Sequence, residues 1–150
     1  MKHLKTSCIS ASTLMLVLAL TAQAQPARSS LYADLGGDTG ISNIIDESVL
    51  IFLQDARIRA SFKETNMQRL AILLKEQFCV ISDGPCKYTG DDMKTVHQGM
   101  GINAAQFYAL AEDVQIAMDK LGIASSVQNR LMARLAPMKR DIVLPKTVSH

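Results

Sequence analysis

One histidine stands in the middle of the chain and is the first residue to consider for chemistry. It is His97, in the stretch "MKTVHQGMGI" at residues 93–102. The sequence has three histidines, and the other two are His3, near the start, and His150, the last residue. An imidazole can act as a base, bind a metal or remain an ordinary polar side chain. A lone histidine needs a further indication before it is assigned to any of these.

The scarcity of other ligands limits the group that His97 could bind. Zinc and copper sites use several protein ligands, and the two nearby cysteines, Cys79 and Cys86, match no zinc-binding spacing. Haem iron needs only one strong protein ligand, and the porphyrin needs an apolar crevice between helices. The chain is rich in apolar residues and has no C-x-x-C-H motif for covalent haem attachment. His97 is therefore a candidate ligand of haem iron.

The remaining reactive residues each allow more than one interpretation. Cys79 and Cys86 either form a disulfide, which in an oxidising compartment would contribute about 2–3 kcal/mol, or stay unpaired. Asp91 and Asp92 are either a pair of catalytic carboxylates or two acids in the first turn of a helix, where the dipole favours them. Sequence motifs of serine hydrolases, P-loop proteins and dinucleotide-binding domains are absent.

The beginning of the chain predicts export. Lys2 and Lys5 precede an apolar run at residues 12–20, and "AQA" at residues 22–24 fits a cleavage site after small residues. We expect residues 1–24 to be a signal peptide, since the run is short for a membrane span. An uncut membrane anchor is the alternative. The expected location is periplasmic or secreted, with no membrane contact after cleavage.

The charge balance argues against nucleic-acid binding. The whole chain has 16 Lys and Arg against 14 Asp and Glu. Two of those lysines lie in the predicted leader, which has no acidic residue, so the remaining chain has 14 of each sign. No basic run is present, and neither a nucleic-acid partner nor a polybasic membrane patch is expected.

The elements around His97 read as helices separated by glycine and proline. Apolar residues recur at helical spacing after Ile41, after Met67, and in two later segments, whereas no alternating strand pattern occurs. Asn66, Asn103 with Gln106, and Ser125 with Gln128 predict helix starts. The run "VLIFL" at residues 49–53 predicts a helix that is buried on most sides. The predicted fold class is all-α, with a flexible lead-in at residues 25–30 and a C-terminal tail at residues 144–150.

The order and spacing of several motifs resemble group I truncated haemoglobins. The motifs are "LYADLGG", "DARI", Phe62 with "NMQRL", "GPCKYTG", "DDMKTVHQGMGI", "AQFYALAEDVQIAMDKLGI" and "LAPMKRDIV". Each motif alone is moderately specific, but together they span residues 31–143. The resemblance implies a truncated globin domain over these residues, a two-over-two α-helical sandwich around a haem b.

The resemblance also assigns roles to individual residues. His97 falls on the proximal iron ligand, and Phe62 falls on the aromatic residue that packs against the porphyrin. Met93, Ile102 and Phe107 fall on positions that contact the ring. For each apolar residue the alternative is ordinary core packing.

The sequence departs from the family on the face where the gas binds. Val49 stands where relatives usually carry a tyrosine, and Leu70 stands where a glutamine is common. Leu73 and Leu74 replace residues that are often polar, and Asp91 replaces an arginine. We therefore expect an apolar distal pocket, which implies fast oxygen release, ready oxidation of the haem and retained affinity for carbon monoxide.

The resemblance implies binding of a diatomic gas, namely O2, NO or CO. A reductase that donates electrons is a possible partner in such a system, and nitric oxide dioxygenation or peroxidase-like chemistry is a side activity to consider. Two alternatives from other classes are a cofactor-free helical interaction protein on a globin shell, and a periplasmic haem carrier or sensor.

Overall fold

The computed structural model describes residues 29–143, and every regular element in that range is helical. The predicted signal peptide at residues 1–24, most of the lead-in and the C-terminal tail lie outside the described residues. The prediction of an all-α fold is confirmed over the described part of the chain. None of the helices within residues 29–143 combines the length and apolar character that crossing a membrane requires.

Seven α-helices and two short 3-10 helices follow one another along these residues. In chain order they are α1 (Leu31–Asp34), α2 (Gly37–Gln54), a 3-10 helix (Arg59–Phe62), α3 (Met67–Ile81), α4 (Met93–His97), α5 (Ala104–Lys120), α6 (Ser125–Leu135), a second 3-10 helix (Ala136–Met138) and α7 (Lys139–Ile142).

Two of the three predicted helix caps are confirmed. The Asn66 side chain accepts a hydrogen bond from the Arg69 backbone N–H at the start of α3. Asn103 and Gln106 form a reciprocal capping box at the start of α5, which satisfies backbone donors that the helix leaves free.

The third helix begins where the sequence predicts, but its predicted capping box is absent. Helix α6 has Ala124 at its N-cap, with no side-chain cap, and Ser125 is already helical. Gln128 does not reach back to close a capping box. Its amide instead donates to the Asp119 carboxylate at 2.6 Å and to the Ile123 carbonyl at 2.9 Å. Because these acceptors belong to the preceding helix and turn, Gln128 holds α6 against the end of α5.

Helix α2 lies between α3 and α5 and carries much of the core. Lys75 pairs with Asp46 on one side of α2, and Lys120 pairs with Glu47 on the other. Helix α6 contacts α5, α3 and α1. The pairs α2–α3 and α5–α6 thus form two layers, which is the two-over-two arrangement that the sequence predicts.

The prediction that residues 49–53 are buried on most sides is wrong. Leu50 is 55% exposed and Leu53 is 44% exposed, while Phe52 between them is buried. Helix α2 therefore has one buried face, which packs against its neighbours, and one open face, as is typical of an amphipathic helix.

The turn from α1 into α2 depends on close backbone approach. Gly36 adopts a left-handed conformation, with φ of 89°, and begins the new helix direction. A Cβ placed on Gly40 would lie 1.9 Å from the Leu35 carbonyl oxygen. Glycine is required at this position because any side chain would collide with backbone.

Candidate functional site

An apolar cavity of about 300 Å³ lies among the helices. Its walls come from α2, the first 3-10 helix, α3, α4, α5 and the segment from α6 to α7. The predicted site residues on this wall are Phe62, Leu70, Leu74, Met93, His97, Ile102 and Phe107. The structure therefore brings together seven residues that are spread over nearly a third of the chain.

Val49, the eighth predicted residue, does not line the cavity. It packs against the core on the same side of α2 as Ile45 and Phe52, and these two residues do reach the cavity. Val49 is half-buried, and it packs against the core without forming part of the cavity wall. The sequence interpretation missed Ile45 and Phe52, although their helical spacing with Val49 could have indicated them.

His97 is the last residue of α4 and points into the cavity. Asp92 caps this short helix by accepting from the Thr95 backbone N–H at 2.9 Å, and that hydrogen bond holds the pKa of Asp92 below its usual value. Asp92 is thus a helix cap, and Asp91 lies just before it, outside the helix. Of the two carboxyl groups, that of Asp92 caps the helix that carries His97.

The hydrogen bond of the imidazole fixes which ring nitrogen is free. His97 Nδ1 lies 2.7 Å from the Met93 carbonyl oxygen, four residues earlier in the chain. A carbonyl can only accept, so Nδ1 carries the hydrogen and Nε2 keeps its lone pair. A backbone carbonyl that orients an imidazole in this way is typical of a metal-binding histidine.

Aromatic stacking fixes the opposite end of the cavity wall. Phe62, at the end of the first 3-10 helix, stacks on Phe52 of α2 with ring centroids 5.7 Å apart and planes 10° from parallel. Phe52 is fully buried, whereas Phe62 is half-buried and has a face toward the cavity. Phe62 is therefore held in place by the core while it remains available to a planar ligand.

The wall supplied by α3 is almost entirely apolar. Leu70, Leu73, Leu74 and Phe78 line it, and Gln77 is its single polar residue. The Gln77 amide lies 3.1 Å from the Met93 sulfur, which is a weak acceptor. Ser48 of α2 is buried and does not line the cavity. Its hydroxyl donates to the Ile44 carbonyl at 2.7 Å.

The loop between α3 and α4 is tied to α3 at two points. Cys79 and Cys86 form a disulfide with Cα atoms 5.9 Å apart, which settles the pairing that the sequence left open. Thr89 donates to the Glu76 carboxylate through both its N–H and its hydroxyl, each at 2.8 Å, and these bonds lower the pKa of Glu76. The loop therefore sets the position of α4 and of His97 relative to α3.

Tyr88 of this loop also lines the cavity. Burial raises its pKa above the usual value, and the negative charges of Asp91 and Glu76 add to the effect. Tyr88 is thus a neutral phenol at physiological pH and adds no charge to the apolar wall.

The donor set of the cavity fits haem and does not fit a bare metal ion. Residues 29–143 contain no group of three or more His, Cys, Asp or Glu side chains that could hold a metal ion. The cavity instead combines one imidazole, a stacked phenyl ring and a wall of aliphatic side chains. A single axial ligand and an apolar slot between helices are what an iron porphyrin requires.

Comparison with known proteins gives one consistent result. Residues 30–144 match the bacterial-like globin family. A group 1 truncated haemoglobin of Mycolicibacterium paratuberculosis is 32% identical over 128 residues, which cover 85% of this chain and 93% of that protein. A group 1 truncated haemoglobin of Synechocystis is 28% identical and covers 77% of this chain and 98% of that protein.

Solved structures show the same fold. The Fe(III) form of the truncated haemoglobin from Tetrahymena pyriformis superposes with a TM-score of 0.74 at 24% identity, over 79% of this chain and 100% of that one. A 2/2 haemoglobin from Synechococcus, in the cyanomet state with covalently attached haem, superposes with a TM-score of 0.72 at 21% identity. That comparison covers 77% of this chain and 98% of the other.

Proposed function

The chain belongs to the bacterial-like globin family and to its group 1 truncated haemoglobins, and on this basis we propose that it holds a haem b in the cavity and binds a diatomic gas there. One observation carries the proposal, namely the His97 imidazole in the cavity with Nδ1 bound to the Met93 carbonyl and Nε2 free. Bound haem supplies an iron centre that takes up O2, NO or CO reversibly.

His97 is the proposed iron ligand. Its ring is oriented by the Met93 carbonyl, and its helix is fixed by the Asp92 cap and by the tethered loop before it. These contacts hold the imidazole in place on the cavity wall. The Met93 carbonyl fixes the tautomer and the orientation of the ring, as such a partner does for a ligating histidine.

The remaining predicted site residues enclose the porphyrin and exclude water. Phe62 provides a flat face, and the side chains around it are mostly aliphatic or aromatic. Leu70 and Leu74 belong to the wall from α3, whereas Met93, Ile102 and Phe107 belong to the side that carries His97. An apolar enclosure favours the neutral porphyrin body and slows the loss of haem to water.

The gas-binding side offers little hydrogen bonding. Leu70 and Leu74 have nothing to donate, Val49 does not reach the cavity, and the Ser48 hydroxyl is used within its own helix. We propose a five-coordinate haem with an apolar distal pocket, in which carbon monoxide binds well and oxygen is released quickly. Efficient nitric oxide dioxygenation or peroxidase chemistry usually needs polar distal groups, so we propose these only as side activities.

The leader sequence supports a periplasmic or secreted globin after cleavage of residues 1–24. A disulfide is also in keeping with an oxidising compartment. In such a location a separate reductase would be needed to keep the haem ferrous. The match to the globin family begins at residue 30, after the proposed leader.

The test is the optical spectrum of the protein purified from cells with sufficient haem. We expect a Soret band, a haemochrome spectrum of the b type, and a shift on addition of carbon monoxide to the reduced protein. His97→Gly should lose haem or change the spectrum, and added imidazole should restore it. Lys94→Gln, on the same helix but exposed, is the matched control.

Two outcomes would favour the alternatives. A folded protein without a Soret band would indicate a cofactor-free interaction protein. Rapid transfer of haem to an apoprotein acceptor would indicate a carrier. An unchanged spectrum in His97→Gly would show that the iron ligand is misassigned.

A further inference from the structure

A buried carboxylate on α5, that of Asp113, does not line the cavity. Asp113 is only 1% exposed, and its Oδ2 atom has no hydrogen-bond partner among the described residues. A buried oxygen that lacks a donor is costly when it is charged, and less so when the carboxyl group is protonated. Asp113 therefore differs from the other acids of the described chain, whose burial is less complete.

The surroundings of Asp113 contain more negative than positive charge. Arg57 is the cation beside it, with Nη2 3.6 Å from Asp113 Oδ1. The same guanidinium donates through Nε to both oxygens of Asp55, at 2.8 and 3.1 Å, and through Nη1 to Glu112 at 2.5 Å. Three carboxyl groups thus share one guanidinium, and the two that are more exposed take its hydrogen bonds.

The pKa of Asp113 reflects this competition. Burial raises it from 3.8 to about 6, and the negative charges of Asp55 and Glu112 add to the rise while Arg57 opposes it. The charged groups that face Asp113 come from the segment after α2 and from its own helix. Asp113 therefore gains or loses its proton near pH 6, above the range in which an ordinary aspartate titrates.

This cluster lies beside the proposed haem cavity. Asp55 is the C-cap of α2, and Arg57 is followed by the buried Ile58 and by the 3-10 helix that ends at Phe62. Phe62 lines the cavity, and so does Val114, the neighbour of Asp113 on α5. A change in the contacts between Arg57 and α5 would thus act directly on the segment that carries Phe62.

We propose that Asp113 is a proton-controlled anchor for residues 55–62. When Asp113 is protonated, Arg57 is held by Asp55 and Glu112 at the surface. When Asp113 loses its proton to solvent, its charge competes for the guanidinium of Arg57, which weakens the bond to Glu112 and shifts the segment that carries Phe62. Where the proposed haem function holds, gas entry to the cavity changes with the same proton.

The effect on stability has a definite sign. The folded protein holds the Asp113 proton more tightly than the unfolded chain, so this contribution is fully present below the unfolded pKa of 3.8. It is lost as the pH rises through about 6. The shift corresponds to a proton affinity that is about 100-fold greater in the folded state, since each pKa unit is a factor of ten.

Amide hydrogen exchange of residues 55–62 across about pH 5 to about pH 8 tests the anchor, after correction for the intrinsic pH dependence of exchange. We expect protection in the wild type to change several-fold with a midpoint near 6. Asp113→Asn should abolish this change. The control Glu112→Gln should keep it and move the midpoint to lower pH, because one repelling charge is removed.

Flat protection in the wild type, or the same transition in Asp113→Asn, would overturn the proposal. Carbon monoxide recombination after photolysis supplies the functional readout, and we expect its rate to change several-fold with the same midpoint. A recombination rate that is independent of pH would refute the coupling to gas entry. Amide exchange does not require haem, so failure of the anchor and failure of haem binding give separate results.

Discussion

Replacing Leu74 by glutamine would place a hydrogen-bond donor on the wall from α3, where the structure has only aliphatic and aromatic groups apart from Gln77. Leu74 lines the cavity and is half-buried. Gln77 is already directed at the Met93 sulfur, and Ser48 is bound to the Ile44 carbonyl. The substitution therefore adds a function that no neighbouring residue supplies, and glutamine is close to leucine in length.

The size of the effect follows from the strength of one hydrogen bond. Bound oxygen carries partial negative charge, and a hydrogen bond to a charged group contributes about 1.5–3 kcal/mol. At about 1.4 kcal/mol for each factor of ten, oxygen release should slow about 10- to 100-fold. Carbon monoxide gains much less from a donor, so its release should change less than about threefold by the same conversion.

Stopped-flow displacement of oxygen by carbon monoxide measures the release rate of the gas. Leu74→Met is the matched control, because it keeps the volume and adds no donor. Two results would refute the reasoning. Slow oxygen release in the wild type would show that a donor such as Gln77 already reaches the gas. Equal release rates in the glutamine and methionine variants would show that position 74 does not face it.

Three further predictions concern the scaffold, and each is measured as the free energy of unfolding in urea. Cys86→Ser should destabilise the protein by about 2–3 kcal/mol, because the bond to Cys79 closes a short loop, and reduction of the wild type should give the same loss. Gly40→Ala should destabilise the protein by about 1–3 kcal/mol, because its Cβ would meet the Leu35 carbonyl oxygen, although alanine favours helices. The control Thr39→Ala, at an exposed position, should be nearly neutral. Asn103→Ala should cost about 1 kcal/mol, and adding Gln106→Ala should cost less than the separate effects combined, since the two side chains form one capping box.

Much of the fold was predictable because its determinants are local. Apolar spacing of a helical period and the caps at Asn66 and Asn103 depend on residues a few positions apart. The cap of α6 was predicted wrongly for the opposite reason. Gln128 can close a local capping box, but in the folded chain it binds Asp119 and the Ile123 carbonyl instead.

The candidate site was predictable only in part. The motifs around His97 indicated which residues meet in one cavity, yet they could not show whether the Val49 side chain lines that cavity. The sequence pattern did not single out Asp113, because an acid beside Glu112 is typical of an exposed helix face. Its partner Arg57 lies in the segment after α2, more than fifty positions earlier, and spacing within α5 does not identify that partner.

The iron–histidine stretching vibration of the reduced protein tests the central claim most directly. Resonance Raman spectra of protein grown with two iron isotopes should show a band that shifts with the isotope. The band should disappear in His97→Gly and return, at a different frequency, when imidazole is added. An isotope-sensitive band that is unchanged in His97→Gly would contradict the assignment of His97, and with it the account of this cavity.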